Sequence, residues 1–233
     1  METLLKGTLR PTNIPTKLEI QLRRYGEILA QWTTERTRLT GPKDHTIIWN
    51  DHITDCIHAL PHLPPRGTVV DVGSGGGLPG IVWAICRPDL QITLVESQQR
   101  KTEALKGMVL ELDLKNVQIR RCRSEELAEK HRESFDLATA RGVSEIGVVA
   151  EYLAPLIQIE GSLLAFKGPK YQMELDVVGN RWDRLGLTPP TTFPYRNGDK
   201  DGVFVIFKKT TPCPRTYPRR PGRATKKHWW EAK

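Results

Sequence analysis

No other stretch of this 233-residue chain limits its fold as tightly as residues 68–85, TVVDVGSGGGLPGIVWAI. The β-branched Val69 and Val70 run into Asp71-Val72-Gly73-Ser74-Gly75-Gly76-Gly77, after which a second apolar run begins. That order reads as a buried strand, a glycine turn and a helix. Glycines there permit positive φ and let a ligand approach the backbone closely. Pro79 falls where a first-turn proline is tolerated, since its missing N–H has no helical partner. The turn and helix N-terminus are therefore expected to offer free N–H groups and a positive dipole end to a bound molecule.

A glycine turn alone also serves dinucleotide folds, but Gly73-x-Gly75-x-x-Leu78 lacks the third glycine of that fingerprint. Asp71 adds a carboxylate at the strand end, and acid-x-Gly-x-Gly-x-Gly resembles motif I of the S-adenosylmethionine (SAM) dependent methyltransferases. A carboxylate suits a sulfonium cation with an amino-acid tail better than it suits a pyrophosphate. Glu96 ends the next apolar run, 91–95, nineteen residues after Gly77, where strand two of such folds carries a ribose-hydroxyl acceptor. The plainer alternative is a helix-capping Asp and a surface Glu.

Downstream, strand and helix patterns alternate, the mark of a parallel sheet with helices on both faces. Strands are expected at 68–72, 92–95, 117–121, 135–139 and 162–166, and helices near 78–86, 98–112, 146–156 and 173–185. A hairpin of 191–195 and 203–207 turns at Asn197-Gly198-Asp199. Upstream, Leu18, Leu22, Tyr25, Leu29 and Trp32 have helical spacing, Gly41-Pro42 breaks the pattern, and a second helix runs from Ile48 to Leu60. These two helices are expected as a cap on the sheet edge or over the site entrance, with His52 buried and hydrogen-bonded. The expected division is a helical cap at 1–64, a core at 65–209 and a basic tail at 210–233.

Strand C-termini nominate Ser124-Glu125 for an adenine ring or a helix cap, Arg141 for a cofactor or substrate role, and Lys167 for a phosphate. The 35 Lys and Arg exceed the 27 Asp and Glu, and the whole excess lies beyond residue 207. There nine bases face one acid, with Tyr217, Trp229 and Trp230 interleaved. Cations neutralise phosphates and rings stack on unpaired bases, so Arg215, Tyr217, Arg219, Arg220, Arg223, Lys226 and Lys227 are RNA-contact candidates. A segment this polar is expected to order only when bound. The four cysteines lack metal spacing and read as thiols of a reducing compartment, and no metal site is expected. Residues 1–17 carry no leader pattern, and no run approaches about 18 apolar residues, so a soluble cytoplasmic chain is expected.

Over most of its length the sequence resembles the small-subunit ribosomal RNA methyltransferase G family, also called glucose-inhibited division protein B. The resemblance rests on Asp71-Val72-Gly73-Ser74-Gly75-Gly76-Gly77-Leu78-Pro79-Gly80-Ile81, Glu96-Ser97, Arg123-Ser124-Glu125-Glu126-Leu127 and Thr139-Ala140-Arg141-Gly142. It extends to Phe166-Lys167-Gly168, to His52-Ile53-Thr54-Asp55 and to Tyr217-Pro218-Arg219-Arg220-Pro221-Gly222. It departs where family asparagines stand as Thr33 and Thr37, and after Gly222.

The resemblance implies a Rossmann-like class I methyltransferase fold: α/β, with a mostly parallel seven-stranded sheet, an antiparallel end strand and an N-terminal helical cap. It implies SAM as cofactor, with contacts at Gly73, Leu78, Ser124, Glu125 and Arg141 and from Glu96. It implies methylation of N7 of a guanine in 16S ribosomal RNA near the decoding centre. Guanine N7 presents a lone pair, so neither a general base nor a covalent nucleophile is needed. The expected partner is 16S RNA or the small subunit, not DNA or a membrane, and the expected state is a monomer. Two alternatives stand beside this: a nicotinamide-dependent oxidoreductase, and a non-catalytic RNA-binding or assembly protein on a nucleotide fold.

Overall fold

The computed structural model describes residues 13–231, so most of the stretch read for a leader, and the last two residues of the tail, lie outside it. Helix α1 (Thr16–Glu35) buries Leu22, Tyr25, Ile28 and Leu29 on one stripe. The second helix expected from the sequence is three pieces: α2 (His45–Ile48), a π-helical turn (Trp49–Ile53) and α3 (Thr54–His58). The Asp44 carboxylate starts it by accepting from the backbone N–H groups of Thr46 and Ile47. The Thr54 hydroxyl takes the Asn50 carbonyl, and the Thr54 N–H reaches back five residues to Trp49, which makes the π-turn.

The α/β core follows: β1 (Gly67–Val72), α4 (Gly80–Cys86), β2 (Leu90–Val95), α5 (Gln99–Glu111), β3 (Val117–Arg120), α6 (Ser124–Lys130) and β4 (Phe135–Arg141). Then come α7 (Ile146–Leu153), β5 (Ile157–Lys167), α8 (Tyr171–Val178), β6 (Thr191–Asn197) and β7 (Lys200–Lys208). The helix expected at 173–185 stops at Val178, because Gly179 takes φ 64° and a 3₁₀ turn follows. Strand β5 begins five residues before the apolar run, through a register shift opposite Phe135 and Leu137 that polar Gln158 and Glu160 conceal in the sequence. A two-residue loop with Gly198 at φ 61° joins β6 to β7.

The sheet order is β3-β2-β1-β4-β5-β7-β6. The first five strands pair in parallel, and β7 is antiparallel to both neighbours, one place in from the edge. Successive strand residues point to opposite faces, so Val69, Leu137 and Leu164 enter one core while Val70, Ala138 and Leu163 enter the other. The first core lies under α1, α3, α4 and α5; the second under α6, α7, α8 and the tail. The N-terminal helices thus cover a face of the sheet. Trp83 Nε1 donates to the Cys56 carbonyl at 3.0 Å, and Tyr25 donates its hydroxyl to the Gly76 carbonyl at 2.8 Å.

Through Glu231 the tail packs back on the second core, where order only on binding was expected. Trp229 and Trp230 are 1% and 5% exposed, and Trp229 Nε1 donates to the Gly147 carbonyl at 2.8 Å. Charge counts miss this because the Trp230 ring fills the space left by a residue without a side chain: a Cβ on Gly147 would stand 2.2 Å from it. Arg219 completes the dock with three bonds to the buried Glu151 carboxylate, from its backbone N–H at 3.1 Å and from its guanidinium at 2.8 and 2.6 Å. The tail tryptophans are therefore core residues.

Candidate active site

The sheet order reverses between β1 and β4, where open α/β sheets place their ligands beyond the strand tips. A cleft there is lined by Gly73, Glu96, Ser124 and Glu125, as the sequence predicts. The turn is tight: Gly73, Gly75 and Gly77 sit at φ 74°, 54° and 93°. Its amides are not free. Gly73 and Ser74 donate to the Val95 carbonyl at 2.9 and 3.1 Å, and Gly77 donates to Ser74 at 2.7 Å. Gly75 N–H reaches Glu96 Oε2 at 3.2 Å, and Gly80 N–H, at the head of α4, reaches Asp71 Oδ2 at 3.0 Å.

This corrects the expectation of open donors. A pyrophosphate entering the turn would meet N–H groups that are mostly spent and the Glu96 carboxylate, so the nicotinamide alternative loses its physical basis. Asp71, Gly75 and Leu78 do not line the cleft. Asp71 is fully buried and caps α4; burial pushes its carboxyl up to about 7, against the pull of the Gly80 N–H. Gly75 serves by fixing Glu96, whose Oε1 also accepts from Gln98 N–H at 2.8 Å. Leu78 is buried behind the turn. Helix α6 is capped at Arg123, whose N–H donates to Glu126 Oε2 at 2.9 Å, so Ser124 is its first residue and not its cap. The Ser124 hydroxyl donates to Glu125 Oε2 at 3.1 Å.

Besides neighbours of the predicted residues, this cleft has walls that sequence reasoning missed, among them Val143 and Ser144 after β4, Tyr152 on α7 and Thr225 from the tail. Val143 rests on the turn, 2.7 Å from where a Gly73 Cβ would be. Only that glycine's bareness hints at it.

Arg141 lines a second cleft, not the first. Its Nε donates to Asp55 Oδ2 at 2.9 Å and its Nη2 lies 2.9 Å from His52 Nδ1. The Tyr195 hydroxyl donates to the other Asp55 oxygen. Burial, and then the Arg141 charge, lowers the His52 pKa, so its ring is neutral. Lys167 stands in the same cleft, held by Glu174 at 2.5 Å and by the Ser144 carbonyl at 3.0 Å. A third groove, sharing Glu125 with the first, carries Arg215, Tyr217, Arg219 and Arg220. Arg223, Lys226 and Lys227 are exposed on the last turns of the tail.

The first cleft fits SAM by the chemistry of its donors and acceptors. Two buried carboxylates, Glu96 and Glu125, suit ribose hydroxyls and an amine, and the bare glycine backbone admits a close ligand. Fold and cleft together define a class I SAM-dependent methyltransferase. A solved SAM-dependent methyltransferase from Aquifex aeolicus has the same fold, with a TM-score of 0.50 at 18% identity over 70% of this chain and 93% of that one. The family model described as rRNA small subunit methyltransferase G matches residues 18–192. The ribosomal RNA small subunit methyltransferase G of Moorella thermoacetica is 32% identical over 97% of both chains, and that of Clostridium perfringens 35% identical over 87% of both. The chain belongs to the rRNA small subunit methyltransferase G family. Among the described residues no helix is long and apolar enough to cross a membrane, and no group of three or more His, Cys, Asp or Glu is placed to hold a metal.

Proposed function

We propose that this protein methylates N7 of a guanine in 16S ribosomal RNA, near the decoding centre, using SAM. The supporting observation is a carboxylate-lined cofactor cleft beside a charged second cleft, with no activated nucleophile in either. Burial raises the pKa of Cys122, the thiol at the cofactor cleft, and pushes that of Cys213 up to about 11. His52 is neutral and engaged by Arg141. An acceptor with its own lone pair needs none of these groups.

When bound, SAM supplies an electrophilic methyl group on sulfur. Glu96 holds ribose hydroxyls, Ser124 and Glu125 face the adenine, and Gly73 lets the ligand lie against backbone. Arg141 orders the acceptor side through Asp55. A methyl group so activated would be open to the N7 lone pair, with sulfur keeping the C–S electrons, so no residue of this chain would have to move a proton. Catalysis then rests on alignment, which supplies roughly 7–11 kcal/mol in well-oriented reactions. Arg215, Arg220, Arg223, Lys226 and Lys227 hold RNA phosphates, with Lys167 nearer the reacting base, and the protein acts as a monomer.

The test is transfer of labelled methyl from SAM to small-subunit RNA or particles from cells lacking the protein, with borohydride–aniline cleavage mapping N7-methylguanine. Arg141→Ala is expected to fold and bind SAM yet transfer methyl far more slowly. No incorporation by the wild type would leave the non-catalytic alternative; wild-type turnover in the variant would remove Arg141 from the mechanism.

A further inference from the structure

We propose that the second cleft takes the target guanine itself, and that Asp55 reads the base by accepting hydrogen bonds from its N1–H and 2-amino group. The inference rests on the methyltransferase reading above and adds to it the residue that selects guanine.

Position comes first. The turn after β4 lies between the two clefts: Val143 and Ser144 line the cofactor side, while Arg141 at its start lines the other. Lys167 spans the boundary, lining the second cleft while donating to the Ser144 carbonyl. A base in this cleft therefore lies next to the cofactor.

Chemistry comes next. A purine that turns N7 toward a methyl donor turns the opposite edge away. In guanine that edge carries two kinds of donor, N1–H and the 2-amino group. In adenine the N1 position is an acceptor. A carboxylate there pairs with guanine and repels adenine. Asp55 is placed for this, 14% exposed along its side chain and fixed through one oxygen by Arg141 and through the other by Tyr195. Each carboxylate oxygen keeps a second lone pair. The Tyr195 ring lines the cleft and is itself backed by the Phe204 ring, stacked at 4.1 Å, giving a flat wall suited to a base.

Two local features agree. The π-helical turn brings Asp51 and His52 to the same cleft as Asp55, and π-turns recur where function requires such re-aiming. Arg141 can only donate, so His52 accepts at Nδ1 and carries its proton on Nε2. That buried Nε2 has no hydrogen-bond partner among the described residues, a donor beside the cleft with its bond still to make.

The experiment measures kcat/KM for methyl transfer to small-subunit RNA carrying guanosine, inosine or 1-methylguanosine at the target position. Inosine lacks the 2-amino group and 1-methylguanosine lacks N1–H. Each is expected to slow the wild type by about 10- to 100-fold, the range for a lost bond to a charged group. Asp55→Asn keeps the shape and one acceptor for Arg141 Nε, while its NH2 donates to the Tyr195 oxygen in place of the bond that hydroxyl gave. It should be slow on guanosine, bind SAM normally by calorimetry, and show an inosine penalty under about 3-fold. Equal wild-type rates on all three RNAs overturn the proposal without any variant. An undiminished inosine penalty in Asp55→Asn overturns it too, leaving Asp55 as a brace for Arg141. If the wild type fails even on guanosine RNA, the methyltransferase reading falls and takes the proposal with it.

Discussion

Replacing Trp229 by alanine tests whether the tail belongs to the core. A buried tryptophan removes about 200 Å² from water. At about 25 cal/mol per Å² that is worth about 5 kcal/mol. A compact denatured chain already hides part of that area, which brings the figure to about 4 kcal/mol. The bond from Nε1 to Gly147 adds about 1 kcal/mol. Trp229→Ala should therefore lower stability by about 4–5 kcal/mol, within the range known for such truncations. For a chain of this length the melting temperature should fall by roughly 10–15 °C. Trp229→Phe keeps most of the packing and loses the bond, so it should cost about 1–2 kcal/mol. Urea denaturation at matched protein concentration measures both. A loss below about 0.5 kcal/mol for Trp229→Ala, the size typical of surface changes, would show the tail lying loosely on α7 and refute the reasoning.

Four further outcomes follow from the geometry. Burial raises the Asp71 carboxyl from the ordinary aspartate pKa of 3.8 to about 7, so its contribution to stability is complete below about pH 4 and lost as pH rises through 7. Across that window the loss is of order 4 kcal/mol, so the stability gap between Asp71→Asn and wild type should shift by that order in the variant's favour. A gap that stays constant from pH 4 to 7 would mean Asp71 titrates normally. Arg219→Ala leaves the Glu151 carboxylate, which is 1% exposed, with a backbone N–H but no charged partner, and should destabilise by about 3 kcal/mol in denaturant melts. Glu96→Gln should weaken SAM binding by about 10-fold in calorimetry, since the amide replaces one anionic acceptor with a donor. Removing Arg223, Lys226 and Lys227 together should flatten the log–log salt dependence of RNA binding by about 2, at roughly 0.7 per phosphate contact on single strands. An unchanged slope would take these cations off the phosphates.

What could be read from the sequence was local. Val69-Val70 followed by Gly73, Gly75 and Gly77 specifies strand and turn by residue type, and Glu96 stands one step beyond a β-branched run. The sheet and its hairpin follow from such runs. The second cleft could not be assembled this way. Asp55 and Tyr195 are 140 positions apart, and nothing in the spacing of either announces a shared hydrogen bond. Thr225 looks like tail, and Glu151 looks like the outer face of a helix, until the fold sets Arg219 against it. Asp71 misled for the opposite reason. An acid near a glycine turn has two uses, ligand contact or helix cap, and the choice depends on which way the strand tip faces.

Helix α7 carries more obligations than its eight residues suggest. Gly147 makes room for the Trp230 ring and accepts from Trp229 Nε1, Glu151 clamps Arg219, Tyr152 looks into the cofactor cleft, and the other five side chains are buried. In a library of randomised variants selected for activity, this stretch should come back almost unaltered, while the exposed positions of neighbouring α8, such as Met173 and Val177, accept broad replacement. One short segment is thus the shared hinge-pin of basic tail and methyl-donor pocket, and damage to either end of it is felt at the other.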